Sequence, residues 1–154
     1  MNNTIQLNNK EAVPVLSIRT KAAVGDLPAV MGQAFGAIAG YLGECGQAPA
    51  GAPFAAYYNM DMNNLDIEIG FPVSKKVSGK GNIQPSEIPA GEQVSCFFKG
   101  SYEDMKTPYE EINKWLTQNG YVSLGTSYEF YLNDPSQVPP NELETLIMFP
   151  VKKA

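Results

Sequence analysis

Apolar and polar positions alternate with the period of a strand over residues 128–132. Tyr128, Phe130 and Leu132 share one face, and Glu129 and Tyr131 share the other. The first face is the expected core, so the second sets a carboxylate beside a phenol. Strands are likewise expected over 13–20, 54–58, 65–73, 93–99 and 143–151, each bounded by turn residues. In the 65–73 strand, Leu65, Ile67, Ile69 and Phe71 fall on one face and Asp66, Glu68 and Gly70 on the other. The period changes at Leu27, Met31, Ala34, Phe35, Ile38, Leu42 and Cys45, whose spacing predicts a helix with Asp26 as its N-cap. A second helix is expected within 101–119, with Thr107 to Glu110 as a capping box and Gly120 as the stop. Residues 74–90, rich in Lys, Ser, Gly and Pro, read as a linker.

This pattern occurs twice. Met31, Phe35, Ile38, Tyr41, Leu42 and Gly46 match Met105, Tyr109, Ile112, Trp115, Leu116 and Gly120 at a constant offset of 74 residues. The 54–57 segment falls on 128–131 at the same offset, and Phe71, Pro72 and Val73 fall on Phe149, Pro150 and Val151 at 78. The expected fold class is therefore α+β, a duplicated β-α-β-β module with an antiparallel sheet and helices on one face. The repeats span about 13–73 and 91–151 of a single domain over 1–154. A ligand groove is expected where the two halves meet.

Composition narrows the chemistry. The 154 residues carry a net charge of −5 and include no His, which removes the commonest general base and metal ligand. No Walker or Rossmann glycine motif is present, and no metal or cofactor is expected. An acidic chain without a basic patch is not expected to bind nucleic acid directly, and favours cationic partners. Cys45 and Cys96 are too few for a disulfide framework. The first residues lack the basic and apolar regions of a signal peptide, and no apolar run is long enough to span a bilayer. A cytoplasmic protein without membrane association is expected.

Carboxylates, Tyr, Lys and Cys are left to carry any chemistry. Glu129 is either a solvated strand residue or the acidic centre of a site among aromatic rings. Tyr57 and Tyr131 are repeat mates, read as a pair lining the groove or as two surface tyrosines. Ala55 is the mate of Glu129, so one half offers a carboxylate and the other only space. Glu68 is a second acidic candidate, a solvated position being the alternative. Trp115 is a core anchor or a pocket wall, and Met148 on the closing strand completes the candidate lining. Gly32, Gly36 and Gly40 form one stripe of the first helix, read as an exposed face or as a place of close approach by a second subunit or the ligand. A homodimer is left open.

Residues 53–58, 65–73, 99–102, 115–116, 128–135 and 145–151, in this order and spacing, give the chain a resemblance to the GyrI-like family. These are small-molecule effector-binding domains also found in AraC-type and MerR-type regulators. The resemblance covers nearly the whole chain from Val13 onward. It implies two β-α-β-β modules with a pocket, and a pocket glutamate at Glu129 that meets cationic or polar parts of aromatic ligands. Lacking a helix-turn-helix segment, the chain resembles a stand-alone member. Some such members are hydrolases of cyclopropane-bearing genotoxins, which implies Glu129 with Tyr131 or Trp115 as the alternative catalytic set. A protein–protein interaction module is the remaining alternative.

Overall fold

The computed structural model describes residues 4–154. The reading of the N-terminus as lacking a leader rests partly on residues 1–3, which lie outside the described residues. In chain order the elements are β1 (Thr4–Lys10), β2 (Val13–Ala22), α1 (Leu27–Glu44), β3 (Phe54–Tyr57), β4 (Leu65–Pro72) and β5 (Ile83–Ile88). There follow β6 (Gly91–Lys99), α2 (Lys106–Asn119), β7 (Tyr121–Ser123), β8 (Ser127–Tyr131) and β9 (Glu144–Lys153). They divide into two compact units, residues 11–90 and residues 4–10 with 91–154.

Within residues 11–90 the strands pair antiparallel in the order β3-β4-β2-β5. Ile69 stands opposite Ile18 on one side and Ala55 on the other. Helix α1 covers the face carrying Leu16, Ile18, Leu65, Ile67 and Ile69, and inserts Ala34, Ile38 and Leu42 into it. Ile38 and Leu42 are fully buried, each contributing about 1.5–3 kcal/mol of transfer free energy. Gly70 permits the close approach of β4 to β2, since a Cβ there would lie 2.4 Å from the Leu16 carbonyl oxygen.

Two expectations change here, and a third is narrowed. Residues 74–90 are not wholly a linker, because β5 lies within them and buries Ile83 and Ile88 against β2. Pro85 suits that position, since an edge strand does not require every N–H. Asp26 stands just before α1, but its side chain caps nothing. A single 3-10 turn, Val24–Asp26, runs straight into the helix, so Asp26 has helical rather than extended backbone. The stripe of Gly32, Gly36 and Gly40 faces open space, for a Cβ at any of them would meet nothing within 4 Å. Gly36→Ala is therefore expected to raise stability by about 0.8–1 kcal/mol, read as a higher urea midpoint with unchanged slope.

The other unit repeats the arrangement, in the order β1-β6-β9-β8, with β7 pairing the end of β9. Strand β1, unforeseen because Asn8 and Asn9 weaken its pattern, lies along β6 with Ile5 opposite Cys96. Helix α2 sets Ile112 and Leu116 against Val94, Cys96, Ile147, Phe149 and Val151. The outward side of α2 carries a Lys106–Glu110 pair at 3.7 Å. Its last turn closes on Gly120, whose φ of 74° and N–H bond to the Leu116 carbonyl form the expected left-handed cap. The expected capping box does not form. Thr107 already lies inside the helix, and Ser101 instead accepts from the Glu103 N–H in the preceding turn.

Candidate functional site

Strand β8 places Glu129 opposite Ile147 and Tyr131 opposite Thr145 on β9. Ile147 belongs to the core packed under α2, so Glu129 and Tyr131 look toward the helix. The expectation that Tyr128, Phe130 and Leu132 form the core face holds for Tyr128, which is buried on the far face, but Phe130 is half-buried and Leu132 is exposed. It is the Glu129 face that meets the core under α2. Alternation tells which residues share a face; it does not tell which face a helix will cover.

The Glu129 carboxylate is held at both oxygens. Tyr109, on the first turns of α2, donates its hydroxyl to Oε2 at 2.5 Å, and Tyr131 donates to Oε1 at 2.9 Å. Around them, Tyr102 meets the Tyr131 ring edge-on at 5.7 Å between centroids, and Tyr109 leans on Phe149 at 5.6 Å. Burial pushes the Glu129 carboxyl above the usual carboxylate range, and the two tyrosine hydrogen bonds oppose that rise. Burial also raises the Tyr102 phenol, helped by the negative charges of Glu129 and Asp134. Thr145 is completely buried beside Tyr131, and its hydroxyl has no hydrogen-bond partner among the described residues. A buried polar group left unpaired costs about 1–3 kcal/mol.

Among the sequence candidates, the structure brings Glu129 and Tyr131 together. Trp115 stacks on Tyr121 at 5.7 Å, near the C-terminal end of α2. Met148 stands opposite Tyr128, on the face of β9 away from Ile147. Tyr57, Ala55 and Glu68 belong to the 11–90 unit. Tyr57 packs against the core under α1, and Ala55 is fully buried opposite Ile69. Glu68 is not solvated: it is 5% exposed, accepting from the Ser17 hydroxyl at 2.6 Å and from the Tyr58 hydroxyl. The Arg19 guanidinium lies 3.7 Å over the Tyr58 ring and forks onto Asp66 at 2.6 and 2.8 Å.

Tyr109 was missed as a site residue, though the duplication carries a signal for it. Its mate is Phe35, which packs on Phe71 as Tyr109 packs on Phe149. The hydroxyl appears in the copy that has Glu129, and is absent from the copy that has Ala55. Among the described residues no group of three Cys, Asp or Glu could hold a metal ion. None of their helices is long and apolar enough to cross a membrane.

The family model of the GyrI-like small molecule binding domain matches residues 3–152. No curated protein matches the chain. EcmrR, solved in complex with DNA, is 23% identical with a TM-score of 0.85, over 99% of this chain and 58% of its own. The present chain thus spans little more than half of that protein. A hydrolase from Listeria innocua is 13% identical with a TM-score of 0.67, over 96% of this chain and 91% of the other. SAV2435, solved bound to tetraphenylphosphonium, is 12% identical with a TM-score of 0.63, over 97% and 94%. At these identities the likeness is one of fold.

Proposed function

Since the chain belongs to the GyrI-like family of small-molecule-binding domains, we propose that it binds apolar, aromatic cations at a site centred on Glu129. The observation that carries this reading is one carboxylate, partly buried among Tyr102, Tyr109 and Tyr131, with each oxygen fixed by a phenol. Two neutral donors orient the charge without neutralising it. An organic cation then supplies the missing positive charge, and its rings can lie against the tyrosines, each cation–aromatic contact adding about 0.5–2 kcal/mol. SAV2435 offers a parallel, as a protein of similar fold with a bound lipophilic cation. Calorimetric titration with tetraphenylphosphonium tests the reading. Saturable binding at one site is expected, and no heat at millimolar probe would refute it.

A second reading rests on the same hydrogen bonds. A carboxyl raised above its usual range by burial and gripped by Tyr109 and Tyr131 suits a general base, and the Listeria innocua protein of similar fold is described as a hydrolase. Here Glu129 would take a proton from water while the water oxygen bonds to a cyclopropane carbon. The strained C–C bond breaks, its electron pair passes to the electrophilic part of the substrate, and the proton held by Glu129 is then returned to that anion, so that one water is added in all. Incubation with a cyclopropane-bearing electrophile, followed by mass spectrometry, decides the matter. A gain of one water that Glu129→Gln abolishes would establish turnover; an unchanged mass would leave binding alone.

Tyr109→Phe separates the two phenols. Removing the donor to Oε2 takes away one influence that lowers the Glu129 pKa, so the carboxyl should protonate at higher pH. Cation affinity should fall at pH 6 more than at pH 8, as titrations at the two pH values would reveal.

A further inference from the structure

We infer that Thr145 sets ligand specificity at the Glu129 site, by hydrogen-bonding through its hydroxyl to an oxygen acceptor carried on the aromatic cation. The inference rests on the ligand-binding reading above. Thr145 is fully buried, and its Oγ1 has no partner among the described residues. Buried hydroxyls in folded proteins are nearly always paired. On β9 it stands opposite Tyr131 on one side and Phe98 on the other, sharing the α2-facing side with Glu129. That places it diagonal to Glu129 across the β8–β9 ladder, within reach of one small aromatic ligand.

The duplication gives an independent argument. At the 78-residue offset of the closing strands, the mate of Thr145 is Ile67, which stands opposite Tyr57 as Thr145 stands opposite Tyr131. The copies thus differ in the same sense at three neighbouring positions: Phe35 against Tyr109, Ala55 against Glu129, and Ile67 against Thr145. Each change adds a polar group to the same face of the same unit. Two of the three are explained by each other, because Tyr109 donates to Glu129. The third hydroxyl has no such internal purpose, and in a core position isoleucine would serve packing better. Tyr109 and Tyr131 already spend their protons on Glu129, and the Thr145 hydroxyl is a buried donor on the same face that is not spent on it.

The test uses the whole chain and three probes: tetraphenylphosphonium, which has no hydrogen-bonding group, and its 3-methoxy and 4-methoxy derivatives on one ring. One methoxy isomer should bind the wild type about five- to tenfold more tightly than the parent, the effect of one net hydrogen bond. Thr145→Val, which keeps the shape, should erase that preference and leave parent affinity unchanged. Thr145→Ser should retain it. A thermal midpoint for Thr145→Val equal to or above the wild type would agree with a hydroxyl that has no internal partner. If Thr145→Val binds all three probes as the wild type does, or if the wild type prefers neither isomer, the specificity role is overturned while the Glu129 reading stands. If no probe binds the wild type, both fall together.

Discussion

Glu129→Gln is expected to weaken binding of tetraphenylphosphonium about 100-fold and, at neutral pH, to make the protein more stable. The affinity loss follows from Coulomb attraction of roughly 4 kcal/mol between unit charges 4 Å apart at an effective dielectric near 20, of which the amide dipole keeps part. The fold should survive, because glutamine keeps the shape and its amide can still pair with the hydroxyls of Tyr109 and Tyr131. The stability gain follows from linkage. Burial raises the Glu129 pKa in the folded state, so the protonated side chain is the one the fold favours. That contribution is complete below the ordinary glutamate value of about 4.3, and is lost as pH rises through the higher folded value. At neutral pH the wild type bears the cost of a carboxylate drawn partly out of water, and the variant does not. Thermal midpoints measured from pH 4.5 to 8 should therefore decline more in the wild type than in Glu129→Gln. Cation affinity runs in the opposite direction. It should fall as pH is lowered through the folded pKa, since a protonated Glu129 has no charge to offer. Equal affinity in wild type and variant would remove Glu129 from the centre of the site.

Glu68→Ala should instead destabilise the fold, by about 2–4 kcal/mol. Both oxygens of this buried carboxylate accept hydroxyls, from Ser17 on β2 and Tyr58 just beyond β3. Hydrogen bonds to a charged acceptor are worth about 1.5–3 kcal/mol each, partly offset because the variant no longer buries a charge. Truncation also removes the acceptor of the buried Ser17 hydroxyl and that of the Tyr58 hydroxyl, on whose ring Arg19 rests. Glu68→Gln should lose less, since its carbonyl still accepts one of the two. Urea unfolding monitored by tryptophan fluorescence measures both. A Glu68→Ala midpoint equal to that of the wild type would mean that this carboxylate does not hold the fold together.

Much of the fold could be read from the sequence because it rests on local periodicity. The 74-residue offset located both helices and their mated strands, and the structure keeps it in detail. Ala55 opposite Ile69 and Glu129 opposite Ile147 occupy the same place in their two ladders. Gly120 ended α2 where a left-handed cap was expected, because only glycine takes that backbone at low cost. The helix starts were less legible. Asp26 and Thr107 have the right chemistry for caps, but the 3-10 turn before each helix decided the local backbone. Strand β5 was hidden because Ser, Gly and Pro dominate its surroundings, and only pairing with β2 gives Ile83 and Ile88 somewhere to go.

For the site, the sequence by itself determined that a carboxylate and a phenol, Glu129 and Tyr131, share one face of a strand, and that the other copy has no carboxylate there. This follows from the two-residue period, which needs no knowledge of the rest of the chain. Only the tertiary structure decided that this face lies under α2, that Tyr109 reaches it, and that Thr145 is sealed beside it without a hydrogen-bond partner among the described residues. Those facts depend on which side of the sheet the helix covers and on strand register, both set by contacts between residues far apart in the chain. Alternation is symmetric with respect to the two faces; burial of Ile112 and Leu116 against Ile147 breaks that symmetry.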